Sequence, residues 1–315
     1  MNYALVTFQQ KLGKEQSFTY AVPSALQPKV QIGQSVTVPF RNKEIKGLIW
    51  ELHNETPPFK TKQIIEINDF TPLLNKVQVS LAKWITDYYF SPLSAALKLL
   101  IPKRVFQQKP PKSNKQNHEQ IIRTQALDLS SEQQHAIDTI QNSKESNFLI
   151  HGITGSGKTE IYCRLAATTI AQQKQALILV PEIALTPQTI DYFQKNLGTK
   201  ATIINSHLSE TDRYRNWQAI RNNEAKLIIG SRSSIFSPFQ NLGLIIVDEE
   251  HESSYKQENT PRYHTHRVLE EIQSLTPECK IVFGSATPSI ETAEKLSTTT
   301  IKLTERIGTS TLPPV

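Results

Sequence analysis

The 315-residue sequence contains two cysteines, Cys163 and Cys279, and neither belongs to a CxxC pair. Nothing here supports a disulfide framework or a cysteine-based zinc site. No stretch approaches the roughly eighteen consecutive apolar residues of a membrane span. The opening MNYALVTFQQ lacks the charged start and apolar run of a secretory signal. Together these absences predict a cytoplasmic protein with no membrane association.

What is present fits a folded globular chain. Hydrophobic residues make up 38% and charged residues 20%, and the length allows two domains that each bury a core. The net charge of +6 hides an asymmetry. Residues 1–127 carry 17 Lys and Arg against 8 Asp and Glu, a net of 17 − 8 = +9. The remainder carries 18 against 21, a net of −3. A basic front beside a mildly acidic rear fits a polyanion-binding front half; a solvated lysine-rich surface fits the charge equally well.

Patterning divides the chain into a domain at 1–105, a flexible basic linker at 106–127 and a second domain at 128–315. The first hundred residues read as short strands around Tyr3–Phe8, Ser35–Pro39, Lys46–Glu51 and Lys62–Ile67, which suggests a small β-barrel or sandwich. Val77, Leu81, Trp84, Ile85 and Tyr88 then recur at helical spacing. Beyond the linker, apolar runs at 148–151, 176–180, 202–205, 227–229, 244–247 and 280–283 lack strict alternation. Strands buried on both faces of a parallel sheet look like this, and helical patterns fall between most of them. The expected fold is therefore α/β, with a mostly parallel sheet behind a β-rich front domain.

Residues Gly152 to Thr159 (GITGSGKT) fit GxxxxGK[ST] in full, after a strand-like run and before a helical one. Gly152, Thr154, Gly155, Ser156 and Gly157 would wrap backbone N–H groups around phosphates at a helix N-terminus. Lys158 would reach the outer phosphates, Thr159 would bind Mg²⁺, and Glu160 follows on the helix. Ninety residues on, the apolar run 244–247 delivers Asp248 and Glu249 at the end of a strand. Asp248 would hold the Mg²⁺ shell and Glu249 would act as general base. The cofactors expected are ATP and Mg²⁺.

Asp248 to His251 (DEEH) resembles the DExH box of superfamily 2 helicases. Three further blocks agree with it in order: Val180–Gln188 (VPEIALTPQ), Gly230–Ser234 (GSRSS) and Gly284–Pro288 (GSATP). The resemblance implies a RecA-like lobe 1 whose loops cross a nucleic-acid strand, with Arg232 placed for phosphate contact.

Asp248 to His264 (DEEHESSYKQENTPRYH) is similar to the aromatic-rich loop of the PriA family of replication-restart helicases. So are Phe18–Pro23 (FTYAVP), Gly33–Phe40, Gly47–Ile49 and Tyr88–Tyr89 in the front domain. This likeness implies a domain that holds DNA 3′ ends, with Phe18 and Tyr20 lining its pocket or serving as core. It also implies an ATP-driven 3′-to-5′ DNA helicase that assembles a primosome with single-strand-binding proteins at forked DNA. Tyr255, Tyr263 and His264 would stack on bases, with Lys256 and Arg262 near phosphate. Gln133 and Gln134 fall where such helicases place an adenine-reading glutamine.

The sequence departs from that family at four places. Thr19 replaces an Asp, the linker is too short for the family's winged helix, and Thr265–Arg267 replaces Ala-Arg-Asp. The chain ends at Val315, where the family enters its second lobe. A truncated form unable to unwind DNA alone is therefore expected. The competing expectation is a non-catalytic module that binds forked or single-stranded DNA and uses ATP as a conformational ligand. A restriction or remodelling translocase with the same core fits the front domain less well.

Overall fold

A computed structural model describes residues 1–9, 17–106 and 128–307. The linker expected at 106–127 lies, apart from Phe106, outside the described residues. The chain forms two compact units. One comprises the residues up to 106 together with Ser209–Trp217 and Gln257–Tyr263; the other comprises the remainder from 128 on.

The first unit is built on β1 (Tyr3–Thr7), β2 (Ser17–Ala21), β3 (Ser35–Phe40), β4 (Lys43–His53) and β5 (Glu66–Ile67), followed by α1 (Lys76–Tyr88) and α2 (Leu93–Leu100). The strands form one antiparallel sheet in the order β2-β1-β4-β3-β5. Its two edges meet through residues 62–65. Ala21 donates to the Lys62 carbonyl at 2.9 Å and accepts from Ile64 at 3.0 Å, while Ile65 donates to the Thr37 carbonyl at 2.9 Å. The sheet thus curls into a small barrel, leaving only Glu66–Ile67 of the strand expected at 62–67 as regular ladder. Ala4, Val6, Phe8, Tyr20, Val36, Val38 and Ile49 fill its interior, as alternating strand positions should. In α1, an Asn75–Gln78 capping box closes the first turn, and Leu81, Ala82 and Ile85 form the buried face.

The second unit runs α3 (Ser131–Asn142), β6 (Asn147–Gly152), α4 (Lys158–Ala171), β7 (Gln175–Leu179), α5 (Pro187–Leu197), β8 (Ala201–Ile204), α6 (Glu210–Arg221), β9 (Leu227–Gly230), β10 (Leu242–Asp248), α7 (Thr265–Leu275), β11 (Lys280–Ser285), α8 (Ile290–Lys295) and β12 (Thr300–Leu303). Residues of α6 up to Trp217 cluster with the first unit. The seven strands form a parallel sheet in the order β12-β6-β11-β10-β7-β9-β8. The central strands β6, β7, β9, β10 and β11 are almost wholly buried, which explains their continuous apolar runs. Strand β6, which precedes the glycine-rich loop, lies one strand from β10 with β11 between them. Both chemical motifs therefore emerge at the carboxyl edge of the sheet, where open α/β sheets bind ligands. Among the described residues, no helix is long and apolar enough to cross a membrane.

Candidate active site

At the end of β6 the chain makes the turn that its glycines allow. Gly155 and Gly157 have φ of +83° and +76°, and Gly157 is the N-cap of α4. A side chain at Gly157 would also collide with Gln133, whose Nε2 lies 2.3 Å from the ideal Cβ position. Lys158 is buried and donates from Nζ to the Gly152 carbonyl at 2.7 Å. The loop closes a cleft of about 470 Å³ lined by Thr154, Gly155, Ser156, Gly157, Lys158, Thr159 and Glu160, with Asp248 and Glu249 opposite. A larger groove of about 730 Å³ beside β12 contains none of these residues. The smaller cleft is the candidate site because charged and backbone donors converge there.

The residues fit a magnesium nucleotide. The buried Ser156 hydroxyl has no hydrogen-bond partner, and Thr159 and Asp248 offer the hard oxygen ligands that Mg²⁺ selects. Glu160 is committed elsewhere. Its carboxylate accepts from Arg164 at 2.7 Å and from the Tyr192 hydroxyl at 3.3 Å.

Strand β10 carries Asp248 to the cleft, where it accepts a 3.0 Å hydrogen bond from the Tyr162 hydroxyl on α4. Burial and the neighbouring Glu249 push the Asp248 carboxyl up to about 6, while Tyr162 and Lys158 pull it down. A raised acid favours its neutral form, so this group's contribution to stability is present at low pH and lost as pH rises through about 6. Binding a cation requires the opposite form. We therefore expect Mg²⁺-dependent nucleotide affinity to fall as pH drops from about 7 to about 5. Titrations of nucleotide with and without Mg²⁺ across that range test this, and an unchanged Mg²⁺ dependence would count against Asp248.

The next residue, Glu249, has a φ of +45°, a left-handed backbone conformation that a glutamate rarely adopts. Such outliers persist where the surroundings fix them, and they concentrate at functional sites. His251 Nδ1 lies 3.6 Å from Glu249 and 2.7 Å from the Ser285 hydroxyl, so the strand ends of β10 and β11 share one polar cluster. Glu250 is buried and receives bonds from His266, Ser289 and Thr292 at 2.7–3.1 Å. Burial alone would raise its carboxyl, but those bonds outweigh burial and hold it below the usual range. Glu250 thereby ties the start of α7 to the start of α8.

The aromatic-rich loop departs from the stacking expectation. Tyr255 and Tyr263 are each only 1% exposed, so neither ring offers a face to a base. The Tyr255 hydroxyl donates to the Asp248 carbonyl at 2.7 Å and to the Leu179 carbonyl at 3.3 Å. It pins the loop to the end of β10. His264 caps α7, accepting from the His266 N–H at 3.3 Å. Arg232 donates from one guanidinium nitrogen, Nη1, to the Ser254 carbonyl at 2.7 Å and to the Lys256 carbonyl. Those bonds brace the aromatic-rich loop. Lys256 is half-buried and Arg262 exposed.

In the front barrel Tyr20 is core, with its hydroxyl 3.3 Å from the Pro39 carbonyl. Phe18 is half-buried at the rim, edge-on to Phe40 at 5.2 Å. Of the two glutamines, Gln134 bonds to Asp138 on the exposed side of α3. Gln133 lines the cleft, but its amide is engaged: it completes the capping box of α3 and donates to the Gly157 carbonyl at 3.2 Å. The sequence reading missed Tyr162, although its place four residues after Lys158 puts both on one face of a helix.

The DEAD/DEAH box helicase family matches residues 130–296. The 3′DNA-binding domain (3′BD) family of PriA matches residues 6–102. The chain is similar to replication restart protein PriA of Rickettsia conorii, at 39% identity over 88% of this chain and 42% of that protein. The counterpart from Treponema pallidum is 35% identical over 88% of this chain and 43% of its own length. That from Bacillus subtilis is 39% identical over 70% and 29%. The chain spans about two fifths or less of the length of these relatives.

Proposed function

Because the chain belongs to the DEAD/DEAH box helicase family and carries a PriA-type 3′DNA-binding domain ahead of that region, we propose that it is the ATP-binding, DNA-engaging part of a replication-restart helicase. Its front barrel would bind forked or single-stranded DNA, including 3′ ends, and its second unit would hydrolyse ATP to drive 3′-to-5′ movement. Primosome and single-strand-binding proteins are the partners proposed with it.

The observation that carries this reading is the convergence of Lys158, Thr159, Asp248 and Glu249 on one cleft. Lys158 would hold the outer phosphates, and Thr159 and Asp248 would hold Mg²⁺, which when bound neutralises charge on the phosphoryl oxygens. Glu249 would take the proton of the attacking water. Coupling to DNA would run through Tyr255, since its loop is bonded to the main chain of Asp248. Any pull on that loop would reach Asp248, the residue that would hold the metal.

The test is ATP hydrolysis by the purified chain with and without forked DNA, against Glu249→Gln. Removing a general base should lower turnover by about a hundredfold or more. DNA-stimulated turnover lost in that variant supports the proposal. Nucleotide and DNA binding without turnover would instead make this chain a recognition module with ATP as a conformational ligand.

A further inference from the structure

The junction between α1 and α2 presents an aromatic surface to which the helicase reading assigns no role. Trp84 and Tyr88 stack at 4.9 Å between ring centroids, with 16° between planes. Tyr89 stands edge-on to both, at 5.6 and 4.9 Å. Phe90 follows with its side chain 95% exposed, and Tyr88 is 51% exposed. Phe90 also has a φ of +48°, a conformation that bulky L-residues seldom adopt. A strained backbone that turns a phenylalanine into water, beside three clustered rings, is the kind of local violation that marks a binding surface.

Two features select the occupant. Between residues 84 and 90 the outward apolar groups are all aromatic, and the one aliphatic side chain, Ile85, is buried. A groove for a protein helix would offer aliphatic anchors, whereas a platform for bases needs π faces. Charge agrees: residues 76–106 hold Lys76, Lys83, Lys98, Lys103 and Arg104 against Asp87 alone, a net of 5 − 1 = +4. Exposed rings in a cationic segment suit a flexible polyanion whose bases are unpaired.

We propose that Trp84, Tyr88, Tyr89 and Phe90 form a stacking platform for the bases of single-stranded DNA, separate from any pocket for a 3′ terminus. The platform rests on the DNA-binding reading above and extends it to the interior of a strand. Phe90 and Tyr88 supply the open ring faces, and Trp84 and Tyr89 fix Tyr88 from behind.

Circular single-stranded DNA, which has no 3′ end, isolates this contact. The probe is titrated into the full chain and into the doubly substituted Tyr88→Ala, Phe90→Ala chain. Both side chains are exposed, so melting temperature should hold. Affinity should fall about tenfold or more, as stacking losses do. The slope of log affinity against log salt should not change, because no phosphate contact is removed. Phe90→Trp alone should keep the affinity, and Trp84 fluorescence should be quenched on binding. Equal affinity of the parent and doubly substituted chains overturns the platform while leaving DNA binding by the chain intact. Failure of the parent chain to bind DNA of any form overturns both readings.

Discussion

Lys158→Ala should reduce nucleotide affinity by about a hundredfold or more, the equivalent of roughly 3 kcal/mol, because a buried charge-assisted contact to phosphate disappears. The Lys158 ammonium is already held in the loop, 2.7 Å from the Gly152 carbonyl, and is desolvated before any nucleotide arrives. Much of the cost of placing a cation beside the phosphates has therefore been met in folding. The substitution also removes the opposite charge that draws the Asp248 carboxyl down. Metal binding should weaken together with nucleotide binding. Fold stability should fall only modestly, by about 1 kcal/mol, since alanine is a good helix former at the start of α4 while the Gly152 carbonyl loses its donor and Asp248 its neighbouring cation. Titration with a fluorescent ATP analogue in the presence of Mg²⁺, alongside a thermal melt, separates the two effects. Undiminished affinity would mean that the glycine-rich loop does not hold phosphate.

The lining of the cleft was legible because it depends on residue types that local backbone geometry demands. Gly155 and Gly157 occupy left-handed conformations, and β6 and β10 are continuous apolar runs because both faces are covered. Each signal is short in range and can be read along the chain. What was not legible depends on which way a side chain turns once distant segments meet. Tyr255 and Arg232 have the chemistry of DNA contacts. Tyr255, however, is drawn inward by the carbonyls of Asp248 and Leu179, and Arg232 by those of Ser254 and Lys256. A buried carbonyl without a donor is costly, and these side chains satisfy it. An extended segment at Lys62–Ile67 and a barrel or sandwich were legible, but not that residues 62–65 close the barrel, since their ladder bonds go to two strands far away in sequence. The aromatic run Tyr88–Phe90 carried no helical or strand period beyond Tyr88, and only its exposure gave it a separate meaning.

Gly284→Ala should be strongly destabilising, for a reason that involves the site. A Cβ at Gly284 would lie 1.7 Å from the Tyr162 hydroxyl and 2.8 Å from the ring carbon that bears it. Tyr162 is fully buried, so it cannot swing clear without displacing its neighbours. Overpacking of this kind costs about 2–3 kcal/mol. The clash also drives the hydroxyl away from Asp248, which it reaches at 3.0 Å. Tyr162→Phe alone should cost about 1 kcal/mol for the lost hydrogen bond. It should also raise the Asp248 carboxyl further, because Tyr162 is one of the groups pulling it down. The two substitutions share one oxygen atom, so their effects should not add. In the Gly284→Ala background, removing the hydroxyl relieves the closest contact, and the double variant should be more stable than the sum of the single losses. Urea unfolding of the four proteins measures that coupling, and simple additivity would mean that Tyr162 and Gly284 do not meet as described. If coupling is found but the Mg²⁺ requirement for nucleotide binding is the same in Tyr162→Phe as in the parent, the hydroxyl packs against β11 without positioning Asp248.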